Sequence, residues 1–416
     1  MNVVQSEKSL RSGVSRKLGT PGDWMTSDER RQVTSRSLSR GLMILGVHYV
    51  LYFATLIGAL APLPIWINVL SAVANGALIG LIFLIGHDTG HSSFVPGRNW
   101  NRWLTRLAFI PCIHSRSLWD TVHNRIHHSY ANLKGYDYVW APMSKAEYDA
   151  SSRRRRALER FYRGPLGPLA YYAVEFWLKK LILPIAPEMR GEWKKHLPDT
   201  IFVLVVGFGM VALIGVVGHW LSPMRPLWLV MLIGWVLPYA VWNYLMALSI
   251  FLQHNHPKVP WFADKSEWSF YGGNIRGAAH VDLPMPFSFL RLFSWVMVHN
   301  AHHALPSIPI YNLPQAQKML IEAYGDDIVR YKFTLGSYRA IFKACKLFDY
   351  EEKQWTDFEG RPTADPIDMR PSSERIEIVD MSGMANPTRR DGRGGLRVSN
   401  ARRQMVQDEA AGRRSK

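Results

Sequence analysis

The sequence predicts an all-α integral membrane protein, with four transmembrane helices in two hairpins, interfacial helices between them and a cytoplasmic cap of histidine boxes. Three observations predict it. Four apolar runs without Asp, Glu, Lys or Arg cover residues 41–60, 66–86, 200–221 and 226–251, each long enough to cross a hydrocarbon core. The Lys and Arg residues crowd into the segments on one side of those runs, as the positive-inside rule requires of cytoplasmic loops. Three clusters of histidine lie outside the runs, all on that same side.

Taken in order, residues 1–40 form a polar, basic arm carrying Lys8, Arg11, Arg16, Lys17, Arg30, Arg31, Arg36 and Arg40. It is expected to be loosely ordered and held at lipid headgroups, on the side where it was made, because no signal peptide precedes the first apolar run. Residues 41–60 span, the APLP turn reverses the chain, and residues 66–86 span back to deliver His87 to the starting side. From there to about residue 198 nothing is apolar enough to cross. Residues 100–119 mix Arg102, Arg106 and Arg116 with Trp, Leu, Phe and Ile, as in a helix lying in the interface, and residues 171–185 do the same around Glu175, Lys179 and Lys180. The run Arg153, Arg154, Arg155, Arg156 reads as a solvated patch facing headgroups.

The second hairpin, residues 200–221 and 226–251, has a turn whose one charge is Arg225, and Pro238 is expected to kink its second helix. After residue 251 the chain stays cytoplasmic, with a further amphipathic candidate at residues 286–298. The domain expectation is therefore an arm at 1–40, a membrane domain at 41–355 and a disordered tail at 356–416, rich in Arg, Ser, Gly and Pro.

Composition narrows the function. The chain has 416 residues, 48% of them hydrophobic, and a net charge of +17. Charge that basic suits nucleic acid or anionic lipid, and the four apolar runs select lipid and leave no role for nucleic acid. The two cysteines, Cys112 and Cys345, stand far apart, so neither a disulfide framework nor a thiolate metal site is indicated.

The clusters read HDTGH at His87 and His91, HNRIHH at His123, His127 and His128, and HNAHH at His299, His302 and His303. A neutral imidazole donates a lone pair to a transition metal, and residues three to five apart on a helix converge on one point. Even numbers of spans separate the clusters, so all three meet on one membrane face. Eight nitrogen ligands exceed what one ion uses, whereas two ions at about four or five ligands each would employ them and keep a position open. FLQHNHP offers a ninth. His254 emerges three residues beyond the fourth span and is preferred to His256, which sits at or past the helix end. His48, His114, His196 and His219 are expected in local hydrogen bonds or at the interface, and so is His280, in GAAHVDLP, with lining the site as its lesser alternative. Asp88, Asp120 and Asp282 are the nearest acids that could orient an imidazole.

The three boxes in this order, with paired spans between them, resemble the integral-membrane fatty acid desaturase and hydroxylase superfamily over residues 42–350. FLQHNHPKVPWF and, later in the chain, HNAHHALPSIPIYNLPQAQ are similar to acyl-lipid desaturases of the delta-12 and omega-3 type, and GYDYVWAP resembles the segment just after the second box in those enzymes. The second box departs from many delta-12 enzymes in having three residues, not two, before its HH. The resemblance implies a metal centre of two non-haem iron ions held by His87, His91, His123, His127, His128, His299, His302 and His303, with His254 matching the extra histidine between the boxes. No catalytic residue beyond that metal centre is implied. It implies an enzyme that uses dioxygen and two electrons to place a double bond in an acyl chain, or as the alternative a hydroxylase of alkanes, fatty acids or carotenoids. No HPGG, CxxC or dinucleotide motif is present, so the electrons are expected from a separate donor (ferredoxin, rubredoxin or cytochrome) that suits a basic surface. A metal-ion transporter is the reading from another class, and it fits less well because transport sites lie near the bilayer midplane. The expected location is a bacterial inner membrane with both termini cytoplasmic.

Overall fold

A computed structural model describes residues 19–371, apart from 138, 187, 188, 190, 192 and 286–290. Four of its helices are long and apolar enough to cross a membrane. The first, α1 (Leu38–Leu60), starts where the Ser37 hydroxyl accepts the Arg40 N–H and ends at the Pro-rich turn. Val50, Phe53 and Ile57 on its outer face are exposed, as side chains that meet lipid are. After that turn α2 (Ile65–Gly90) returns, with Pro64 as its cap. Two asparagines on α2 bind it to α1. The Asn68 amide donates to Gly58 O and Ala61 O at 2.8 and 2.9 Å, and the Asn75 amide donates to Tyr52 O and Thr55 Oγ1 at 2.9 and 3.0 Å. In an apolar surrounding such bonds have no water to compete with them.

Arg98–Phe109 forms α3, an amphipathic helix with Trp103 68% exposed and Leu104, Ala108 and Phe109 buried. Pro111 comes next and ends it. Trp193–Leu221 forms α4 and Leu227–His254 forms α5. Ahead of Pro238, where a kink is expected, the helix winds as a π-helical turn over Leu232–Val236, just before the residue that lacks an N–H to give. The α4–α5 turn is tied to the α1–α2 turn. Ser222 Oγ donates to Leu60 O at 2.8 Å, and the Arg225 guanidinium donates to Ala61 O and Leu63 O at 3.2 and 2.5 Å. Both short turns therefore lie together at the end of the helices opposite His87 and His254.

Between α2 and α5 the backbones approach closely at Gly76, where an added Cβ would stand 2.5 Å from Pro238 O and 2.7 Å from Val241 Cβ. Pro238 O is backbone and cannot step aside. Gly76→Ala is accordingly expected to destabilise the fold by about 1–3 kcal/mol, read as a lowered Tm of the detergent-solubilised protein against wild type.

The chain is mostly helical but not wholly so. Ala279–Asp282 (β1) pairs in parallel with Val329–Lys332 (β2), and Leu347–Asp349 (β3) pairs antiparallel with Gln354–Thr356 (β4); no closed sheet occurs among the described residues. Two expectations differ from what is observed. Residues 19–37 are docked rather than loose, with Trp24, Met25 and Val33 buried, Gly19 N donating to the Tyr324 hydroxyl and Asn312 donating to Val33 O. Residues 356–371 fold back on the body: Thr363 N donates to Trp355 O, Ile367 N to Lys353 O, and Arg276 to Asp368 O. In both places a few apolar side chains within a polar stretch, Trp24 and Val33 at one end and Trp355 and Ile367 at the other, supply the burial that charge-rich composition conceals. Of the 286–298 helix, Arg291–Val296 is helical and 286–290 lies outside the described residues, as do residues 1–18 and 372–416 of the arm and tail.

Candidate metal centre

The nine histidines singled out by spacing come from four places. His87 sits in the last turn of α2 and His91 caps that helix, one turn on, so both rings project from the same face. Gly90 between them lets Trp119 come close, since a Cβ there would run into the indole ring. The second box lies on a π-helix, Asp120–His127. A π turn bonds residue i to i+5, against i to i+4 in an α-helix, so His128, five residues on, comes back over His123 instead of pointing away. The Nε2 atoms of that pair are 3.1 Å apart. His254 is the last residue of α5, and the third box forms the short helix α6 (His299–Ala304).

Two groups result. One ligand atom from each of His87, His91, His123 and His302 lies within 4.8 Å of the others, and the same holds for His127, His254, His299 and His303. His128 stands between them, with Nε2 3.1 Å from both His123 Nε2 and His302 Nε2 and its ring centroid 4.6 Å from that of His303.

The second group shows which nitrogens face inward. His127 Nδ1 donates to the Asp137 carboxylate, at 3.1 Å from both oxygens. His254 Nδ1 donates to Asn132 Oδ1 and Gly277 O at 3.1 Å, and His303 Nδ1 donates to Asn274 Oδ1 at 2.9 Å. With the proton fixed on Nδ1, each Nε2 carries a bare lone pair. His254 and His303 both direct that lone pair to within 3.0 Å of His299 Nε2. In the first group the buried His91 Nε2 has no hydrogen-bond partner. Burial, and after it the neighbouring imidazoles, holds His91, His123, His128, His299, His302 and His303 well below the ordinary histidine range, so they are neutral near pH 7. Converging lone pairs of neutral rings repel one another unless a cation lies among them, and this donor set fits transition metals.

The remaining histidines are elsewhere. His256 accepts the Lys258 N–H and stacks on Tyr331, and His280 pairs with Asp282. His114 bonds Cys112 O and the Tyr172 hydroxyl, His196 bonds Ser117 Oγ, and His48 bonds Ile44 O within its own helix. Among the acids named from sequence, Asp88 accepts the Ile310 N–H and stands 3.9 Å from His87 Nδ1. Asp120 instead engages Asn124 and Arg125, and Asp282 engages His280 and Arg330, so neither touches a clustered imidazole. Asp137, Asn132 and Asn274 take the supporting positions, and sequence reasoning missed all three. Asp137 lies within GYDYVWAP, and an acid in an uncharged aromatic stretch ten residues past a ligand was the available signal.

Beside the histidines lies an apolar cavity. Phe83, Leu84, Trp119, Val122, Tyr172, Phe176, Leu181, Met246 and Ile250 line it, and His87 and His123 of one group and His299 of the other form part of its wall. A slender hydrocarbon suits such a lining.

Residues 64–334 match the fatty acid desaturase family. Among curated relatives, the chain is 29% identical over 311 residues to the sn-1 oleoyl-lipid 12-desaturase of a Picosynechococcus strain, covering 70% of this chain and 80% of that one. It is 27% identical over 304 residues to the chloroplastic omega-6 fatty acid desaturase of Spinacia oleracea, covering 72% and 63%, so it spans less than two thirds of that relative's length. To the sn-1 acyl-lipid omega-3 desaturase (ferredoxin) of a Synechocystis strain it is 26% identical over 253 residues, covering 61% and 67%.

Proposed function

Because the chain belongs to the fatty acid desaturase family, an oxidoreductase family, we propose that it introduces a double bond into an acyl chain carried by a membrane lipid. The observation that carries this reading is the apolar cavity whose wall includes members of both histidine groups. A chain lying there would present its methylenes to both. The names of the relatives point to an oleoyl lipid and the 12 position as the first substrate to try.

In this reading His87, His91, His123 and His302 hold one iron ion and His127, His254, His299 and His303 the other, with His128 between. Such a pair, when bound, activates dioxygen with two electrons and takes hydrogen from unactivated carbon. The protein contributes the rest. Phe83, Trp119, Phe176 and Met246 hold the chain straight and keep water from the histidines, while Asp137, Asn132 and Asn274 fix the ring orientations before substrate arrives.

The topology follows from charge. The tied turns at 61–64 and 222–226 face outward with Arg225 as their charge, and the histidines lie on the inner side with both termini. The setting is a bacterial inner membrane. Arg153 and Arg156 line one open cleft on the basic side, beside the ion pairs Lys145–Asp149 and Arg160–Glu359, a surface of net positive charge suited to an acidic electron donor such as ferredoxin, rubredoxin or a cytochrome.

Expression in a host that makes oleate but no dienes tests this directly. Chromatography of total lipids is expected to reveal a new diunsaturated chain. Oxygenated chains instead would make the protein a hydroxylase, and unchanged lipids from cells containing inserted, metal-loaded protein would contradict the reading.

A further inference from the structure

A second cleft opens at the other end of the cavity's wall, between the C-terminal end of α3, the Arg116 turn and the first turns of α4. Arg106, Arg116 and Asp199 form its polar rim, and Phe202, Val203 and Val206 continue it down α4. Asp199 immediately precedes the apolar run of α4, so the rim lies where headgroups lie and the floor lies where acyl chains do. Phe202 is exposed on the lipid side, which leaves the cleft open laterally.

The charges do not cancel. Asp199 accepts the Ser117 N–H and is the one acid in the lining, against two guanidiniums, with Arg102 a further cation near enough to act on Arg116. Burial first, and then Arg106, holds the Arg116 guanidinium below its ordinary range, with Arg102 reinforcing and Asp199 and, outside the lining, Asp120 opposing. Arg116 Nε is buried without a hydrogen-bond partner. On this half-buried side chain, a buried Nε–H without an acceptor is a donor that an anion at the rim would complete.

The cleft also adjoins the cavity. His114 lines the cleft, Tyr172 lines the cavity, and the His114 ring nitrogen lies 3.4 Å from the Tyr172 hydroxyl. Phe109 of the cleft stacks on Phe83 of the cavity at 5.7 Å. One layer of side chains divides them.

We propose that Arg106 and Arg116 bind the phosphate of an anionic glycerophospholipid, so that the lipid acted on is a phospholipid whose acyl chain enters the neighbouring cavity. This rests on the acyl-lipid reading above. It distinguishes this chain from one built for an uncharged glycolipid, whose headgroup would gain nothing from two arginines.

The test uses full-length, metal-loaded protein in detergent, stripped of lipid and re-equilibrated with equimolar dioleoyl phosphatidylglycerol and dioleoyl monogalactosylglycerol. Mass spectrometry of retained lipid is expected to find the phospholipid in excess by about tenfold, the size that charge-assisted bonds to phosphate allow. In Arg106→Gln/Arg116→Gln that preference is expected to vanish, with Arg106→Lys/Arg116→Lys retaining part of it. The ratio of turnover on the two lipids should fall in parallel through KM. Equal retention of both lipids by wild type, a preference unchanged in the glutamine variant, or displacement of the lipid by millimolar inorganic phosphate alone would overturn the proposal. Retention is read without turnover, so a protein that binds phosphatidylglycerol but never desaturates it would refute the enzymatic reading and leave the binding site standing.

Discussion

His302→Ala is expected to abolish desaturation, by at least about a thousandfold, and to lower the metal bound per chain while the protein still inserts and folds. His302 has ring contacts with all three other members of the first group and meets His128 as well. Its Nε2 lies 3.1 Å from that of His128, and its ring centroid lies 4.6 Å from that of His87 and 4.9 Å from that of His91. The short helix that carries it does not depend on the imidazole, because Asn300 donates to Ile275 O and Ala278 O, and Gln317 accepts the Ala301 N–H. Loss of the ring therefore removes a ligand without removing the scaffold. Metal analysis of the purified variant, set beside lipid analysis of cells that express it, separates the two effects. Wild-type turnover by this variant would remove the first group from the mechanism.

The second large effect is expected at a residue that touches no substrate. Asp137→Asn should cost about 10–100-fold in metal affinity or activity, the range for a carboxylate that orients a liganding histidine. Asp137 is a positioning residue: its two oxygens accept from His127 Nδ1, from Asn132 N at 2.8 Å and from Val139 N at 3.0 Å. An amide of the same shape offers one oxygen and turns an NH2 toward a donor, so one of those N–H groups loses its acceptor. Asn132 is affected too, because Asp137 holds its backbone at a positive φ of 59° and its side chain in turn orients His254. Competition with a chelator reads the affinity. Asp137→Glu, which keeps the charge but lengthens the arm, should recover part of the loss. An Asn variant with wild-type affinity and rate would make the Asp137–His127 contact merely structural.

What could be read from the chain divides along a physical line. Four apolar runs announce themselves because lipid tolerates no charge along them, and clustered imidazoles announce themselves because few other uses bring so many together. His254 was separable from His256 since the helix carrying it runs to that residue and no further. The supporting shell was not separable in this way. Asn132 and Asp137 lie in turn and loop, Asn274 lies in a short π-helix over Tyr271–Arg276, and Asn274 reaches His303 only because the chain folds back between them. The π-helical winding of the second box was likewise hidden, although it accounts for the three residues before the HH: that winding returns His128 to His123, which an α-helix would not. The docking of residues 19–37 and 356–371 escaped for the opposite reason, since a few buried aromatic and aliphatic anchors outweigh a polar average.

Under the proposed function, nine imidazoles from four parts of the chain would hold two iron ions. Metal content measured on purified, active wild-type protein, by mass spectrometry against amino-acid analysis, tests it most directly. Activity is expected to rise with bound iron and to saturate at two ions per chain. Full activity with one ion or none would contradict it.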